Sequence, residues 1–200
     1  MTAPIGAIVA GGEAMRFGGA PKGLRRVGGD RIIDRVAAAL GATTSELIIV
    51  SNAPEATHWS PGVPAYGDVR PERGSLVGIH TALSYAGGDV LVVAWDMPFV
   101  SPELLTLIRD RPRGTAMAVI PQSPSGDEPF CALYTPRCLP IIEAALDAGD
   151  LRLSGVIARL PSVERISMSD IQSIGDPATL LFNVNTPEDL AHAEAIDARR

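Results

Sequence analysis

Short apolar runs alternate along this chain with segments of helical periodicity, and that alternation points to a parallel or mostly parallel sheet flanked by helices. Residues 6–10 (GAIVA), 46–51 (ELIIVS) and 89–95 (DVLVVAW) read as strands. The last is apolar on both faces, which places it centrally with cover on each side. Between the first two, Ile32, Ile33, Val36 and Leu40 share one face of a helix over about 30–40. Residues 75–86 read as a second helix. A third opens at Ser101, with Pro102 in the first helical position and Glu103 at the positive end. Residues 115–120 and 130–134 are further strands around a Pro-, Ser-, Gly- and Asp-rich loop at 121–129. Two helices broken near Gly149 fill 137–160, and 163–167 form a short strand. Residues 180–184 (LLFNV) read as a last strand, before a helix that starts at Thr186, Pro187 and Glu188. No repeat, linker or charged tail divides the 200 residues, so one α/β domain spanning 1–200 is expected.

Hydrophobic residues make up 46% of the chain, enough for a sizeable core. Seventeen basic against 23 acidic residues give a net charge of −6, which argues against a nucleic-acid partner. A small anionic substrate is still compatible, because it needs only a few cations and backbone donors in one cleft. The first apolar run lacks a basic stretch before it, and no run is long enough to span a bilayer, so neither a signal peptide nor a membrane association is expected. Cys131 and Cys138 read as reduced thiols of a cytoplasmic protein.

Four constellations carry the chemistry. The first is VAGGEAMRFGGAPKG at 9–23, directly after a strand. Gly11, Gly12, Gly18, Gly19 and Gly23 permit a tight loop whose amides can approach a phosphate, and Arg16 and Lys22 add positive charge. The spacing matches neither the Rossmann nor the Walker pattern. The second is WDMPFVSPE, which sets Asp96 beyond the carboxyl end of the central strand, where open α/β sheets bind ligands. A carboxylate beside phosphates is suited to Mg²⁺. In the third, GDVRPERGSLVGI, Asp68 is either a turn residue or a ligand, and Gly74 and Gly78 flank the turn into a helix. Gly78, inside that helix, implies a close approach. In the fourth, FNVNTPEDL, Asn183 and Asn185 alternate on a strand; they either serve a metal or phosphate or form turns and caps. His58, His80 and His192 lack the partners of a zinc site, and Glu128 reads as a solvated loop carboxylate.

Together with EPFCALY at 128–134, these segments resemble, in order and over almost the whole chain, the motifs of the molybdenum cofactor guanylyltransferases. The resemblance implies a single Rossmann-like nucleotidyltransferase domain, three-layered α/β/α with a mostly parallel sheet. It implies GTP and Mg²⁺ as reagents, molybdenum-bearing molybdopterin as acceptor, and molybdoenzyme-maturation proteins as candidate partners. It also implies that Val9, Ala10, Gly11 and Gly12 hold the guanine nucleotide and that Lys22 contacts its phosphates, with Arg16 and Gly19 in the same loop. Asn52 would lie beside the base or ribose, Asp68 would touch the nucleotide, Asp96 would bind the metal, and Asn183 and Asn185 would belong to the active site. The family usually has Met and Asp where this chain has Phe17 and Pro21, and Pro and Ala where it has Ser75 and Val77. Pro21 removes a carboxylate and an amide donor beside Lys22. Two alternatives remain open: a cytidylyl- or sugar-phosphate nucleotidyltransferase of the same fold, and a catalytically silent nucleotide-binding or cofactor-delivery protein.

Overall fold

The computed structural model describes residues 3–11, 21–72, 74–111 and 113–200. Strand β1 (Ile5–Val9) precedes a small antiparallel pair, β2 (Arg26–Val27) and β3 (Asp30–Arg31), then helix α1 (Ile32–Gly41) and β4 (Leu47–Val50). β5 (Ala65–Tyr66), α2 (Ser75–Ala86), β6 (Val90–Ala94) and α3 (Pro102–Asp110) follow. Next come β7 (Ala118–Ser123), β8 (Gly126–Asp127) and β9 (Cys131–Tyr134), then α4 (Leu139–Asp147), α5 (Leu153–Arg159) and β10 (Val163–Ile166). Helices α6 (Met168–Gln172), α7 (Pro177–Leu180) and α8 (Pro187–Asp197) complete the order.

The main sheet runs β10-β7-β9-β6-β1-β4-β5, with β8 paired to β7. β1 is parallel to both β4 and β6, β4 to β5, and β7 to β10, whereas β9 is antiparallel to its neighbours β6 and β7. The sheet is therefore mixed and mostly parallel. Side chains alternate across it as the two-residue period of a strand requires. Ile8, Ile49, Leu91 and Val93 join α1 and α3 in one core, while Ala7, Val9, Ile48, Val50, Val90 and Val92 join α2, α4 and α5 in the other. All five residues of β6 are buried, as its uninterrupted apolar sequence anticipates.

Three local expectations change. The first helix begins at Ile32 because Asp30 and Arg31 pair with Val27 and Arg26. Part of the loop at 121–129 is a hairpin that turns at Pro124 and Ser125 and enters β8 at Gly126, whose φ of 120° suits glycine. No strand forms at 180–184. Pro177 in the first helical position and the Asp176 carboxylate, accepting from the amides of Ala178 and Thr179, start α7 there, and the chain after Leu180 is irregular.

Candidate active site

The strands β1, β4, β5 and β6 end on one edge of the sheet. From β1 the chain passes to β4 on one side, while β6 lies on the other, so the crevice beyond the ends of β1 and β6 is the switch point at which such sheets bind ligands. Backbone hydrogen bonds from Trp95 N to Val9 O (3.2 Å) and from Ala10 N to Val50 O (2.9 Å) tie its floor together. Gly11 is exposed, and among the described residues nothing lies within 4 Å of where a side chain would stand.

Lys22 returns to this crevice on a single 3-10 turn, Lys22–Leu24. Pro21, at φ −59°, has the backbone angle its ring imposes, and its carbonyl accepts from Leu24 N at 3.3 Å. The proline that departs from the family pattern thus fits the turn that carries the lysine. Gly23 is buried, and a Cβ there would stand 2.5 Å from the Trp95 ring, so only glycine lets the turn lie this close to the residue before Asp96. Gly23 therefore has a packing role that its place in a glycine-rich loop did not reveal.

The Lys22 ammonium donates to Asp96 Oδ2 at 2.8 Å and to Asn185 Oδ1 at 2.9 Å. Because a lysine only donates, Asn185 must present its oxygen here. Asp96 is 7% exposed, and its second oxygen, Oδ1, is buried with no hydrogen-bond partner among the described residues. An unsatisfied buried acceptor costs about 1–3 kcal/mol, more when charged, so this oxygen is open to a donor or cation from outside the described residues. Asn185 arrives because Val184 N donates to Asp96 O at 2.9 Å.

Of the other expected site residues, Gly12, Arg16 and Gly19 lie outside the described residues. Asn52 and Asp68 bind each other at the ends of β4 and β5: Asn52 Nδ2 donates to Asp68 Oδ2 (2.6 Å) and Asp68 N to Asn52 Oδ1 (2.8 Å). Both stay at least partly exposed on the crevice edge. Gly74 precedes α2 at φ 149°, which a side chain would strain. Gly78 is buried, with Val9 Cγ1 2.8 Å from where its Cβ would be, so helix-to-strand contact accounts for the close approach. Asn183 donates to its neighbour Leu181 O at 3.0 Å, and with no strand at 180–184 the two asparagines do not share a strand face. Among the described residues, Asn185 is the one of the pair that reaches Lys22.

Glu128 is half-buried rather than solvated, and lies before β9, whose start abuts the end of β6 through Ala94 N to Phe130 O at 2.8 Å. Burial holds its carboxyl above the usual range, with the Ser123 hydroxyl opposing the shift. Asp127 beside it is engaged by Arg165 at 3.0 Å. No group of three or more His, Cys, Asp or Glu side chains suited to a metal occurs among the described residues, and none of the described helices is long and apolar enough to cross a membrane. A hollow of about 530 Å³ between α3 and α8, lined by Ser101, Asp176 and Arg199 among others, shares no residue with the Lys22 cluster.

The residues that hold the cluster, Gly23 and Asp189, were not singled out by sequence for that purpose. Asp189 was visible as the acid three residues after Thr186, the signature of a capping box.

Residues 6–163 match the family described as MobA-like NTP transferase domain. A molybdenum cofactor guanylyltransferase of Desulfosudis oleivorans is 35% identical over 197 residues, covering 98% of this chain and 96% of the relative. One from Cereibacter sphaeroides is 33% identical over 196 residues, with 96% of each covered. Among solved structures, molybdopterin-guanine dinucleotide biosynthesis protein A from Archaeoglobus fulgidus superimposes with a TM-score of 0.84 at 26% identity, over 98% of this chain and all of that one. A 2-C-methyl-D-erythritol 4-phosphate cytidylyltransferase from Thermus thermophilus, at 19% identity and TM-score 0.68 over 99% and 100% of the two chains, has the same fold.

Proposed function

Given that the chain belongs to the MobA-like NTP transferase family and is a nucleotidyltransferase, we propose that it transfers GMP from GTP to the terminal phosphate of molybdenum-bearing molybdopterin. The products are molybdopterin guanine dinucleotide cofactor and pyrophosphate. The observation that carries this reading is the triangle of Lys22, Asp96 and Asn185 at the switch point, with Asp96 Oδ1 uncommitted among the described residues. Full-length relatives named guanylyltransferases favour guanine, as does Ala10-Gly11-Gly12, where the first motif of the cytidylyl- and sugar-phosphate nucleotidyltransferases tends to resemble Ala-Ala-Gly. The fold alone does not choose the base, since a cytidylyltransferase shares it.

An acceptor phosphate oxygen attacks the α-phosphorus of GTP. The new P–O bond forms as the bond to the bridging oxygen of the β-phosphate breaks, and pyrophosphate leaves with that electron pair. No protein nucleophile is needed. Asp96 Oδ1 fits Mg²⁺: it is a hard oxygen that accepts from no donor among the described residues, and Mg²⁺ takes one or two carboxylates and fills its shell with phosphate oxygens and water rather than requiring a cage of side chains. Bound there, the ion would supply charge neutralisation at the α-phosphate. Lys22 has three donors and spends two on Asp96 and Asn185, leaving one for a phosphate oxygen. Arg16 and the loop amides from Gly11 to Gly19 assist at the leaving group. The Asn52–Asp68 pair, two to three strands from β6 and hence on the order of 10 Å or more away, suits the nucleoside end of GTP. The free thiols of Cys131 and Cys138 support a cytoplasmic location for this activity.

The test is pyrophosphate release from GTP or CTP with Mg²⁺ and molybdopterin. GTP is expected to be preferred, and both Asp96→Ala and Lys22→Ala are expected to lose on the order of a hundredfold or more in rate, as when one preorganised electrostatic contact is removed, with the far-UV circular dichroism unchanged. Preference for CTP would overturn the guanylyl assignment. GTP binding without product would leave a silent carrier, and normal turnover by either folded variant would remove the role of that residue.

A further inference from the structure

We infer that Asp189 is a positioning residue for the Lys22 ammonium, acting through Asn185 rather than on substrate; the inference rests on the nucleotidyl-transfer reading of that cluster. The irregular segment before α8 has no sheet partner to fix it. It is held instead at two points on either side of the Asn185 side chain. Val184 N donates to Asp96 O at 2.9 Å. Asp189 Oδ2 accepts from the amide of Asn185 at 2.9 Å and from that of Thr186 at 2.8 Å. With the backbone fixed before and at residue 185, the side-chain oxygen of Asn185 is left 2.9 Å from Lys22 Nζ.

The chain contains its own control. Two capping boxes open helices, Thr186 with Asp189 at α8 and Ser167 with Asp170 at α6. A capping box requires only the reciprocal pair. Asp170 Oδ2 accepts from the amide (3.2 Å) and hydroxyl (3.0 Å) of Ser167, and among the described residues it accepts nothing from the residue before the cap. Asp189 takes the additional amide, and that amide belongs to the residue that touches Lys22. Helix initiation does not call for this bond; orientation of Asn185 does.

Asp189→Ala and Asp170→Ala separate the two roles. Both are expected to lower the thermal midpoint. Only Asp189→Ala is expected to lower kcat, by about tenfold, the scale of losing a partner that orients a site residue. In an Asn185→Ala background the same substitution should add no further loss, and Asp189→Asn, which keeps an acceptor oxygen, should recover most of the rate and serves if the alanine variant fails to fold. A parallel readout needs no turnover: titration with GTP and Mg²⁺ of the fluorescence of Trp59 and Trp95, whose rings stack on each other at 4.9 Å with Trp95 against the Lys22 turn, should weaken for Asp189→Ala and not for Asp170→Ala. Equal kinetic and binding effects of the two variants, or a penalty undiminished in the Asn185→Ala background, would overturn the inference. A wild-type chain that binds GTP with this dependence on Asp189 yet releases no pyrophosphate would instead sink the transferase reading and leave the positioning role standing.

Discussion

At Gly78 two opposing energies meet. Alanine in a helix interior is favoured over glycine by about 1 kcal/mol, but here its methyl group would stand 2.8 Å from Val9 Cγ1, and overpacking of this kind costs about 1–3 kcal/mol. The contact wins. Gly78→Ala should therefore lower the urea midpoint, with net destabilisation of about 1 kcal/mol, and Val9→Ala in the same background should recover part of the loss; a midpoint at or above wild type would show that α2 simply moves away. Sequence alone marked Gly78 as a point of close approach without showing what approaches it. Lys22 and Asp96 were more legible, because each closes a glycine-rich or apolar run and so declares its place on the sheet edge. The packing role of Gly23 was hidden for the opposite reason: its neighbour Trp95 is distant in sequence, and a glycine in a glycine-rich loop carries no signal of a ring contact.

The long apolar strands and the well-punctuated helices α3 and α8 were read correctly, whereas the short strands made by pairing, β2, β3, β5 and β8, were not anticipated. α3, with Ser101 accepting from Leu104 N, begins where its cap and proline placed it. The expected strand at 180–184 failed because an apolar run of that length fits a helix end as well as a strand, and the Asp176-Pro177 start signal decided for α7. The connection from β8 to β9 was called solvated on composition, yet it brings Glu128 into partial burial. Burial raises the Glu128 pKa in the folded state, so the native chain holds this proton more tightly than the unfolded one. The associated stability is present in full below the unfolded carboxyl pKa and is lost as pH rises through the folded value. Glu128→Gln should thus match wild type in thermal midpoint near pH 4 and exceed it at pH 7. A difference that is constant across that range, or that grows toward acid, would show that the carboxyl is not desolvated.

For the whole molecule, the layers were readable from the apolar periods, whereas the strand order and the antiparallel course of β9 were not, since pairing across the sheet is set by contacts remote in sequence. That sheet also joins the two cores: successive residues of β1, β4 and β6 enter opposite ones, so neither face can unfold without stripping cover from strands the other face uses. The two tryptophans report on one face only, because Trp59 and Trp95 both lie in the core of α1 and α3. Ile142, 2% exposed on α4, belongs to the other. We predict that Ile142→Ala, a truncation that costs about 2–5 kcal/mol, shifts the tryptophan-detected unfolding midpoint by as much as the midpoint from far-UV circular dichroism, as one cooperative unit spanning both faces demands. If the tryptophan transition stays at its wild-type position while the dichroism transition splits, the α2–α4–α5 layer unfolds on its own, and that face of the sheet is energetically separable from the face covered by α1 and α3.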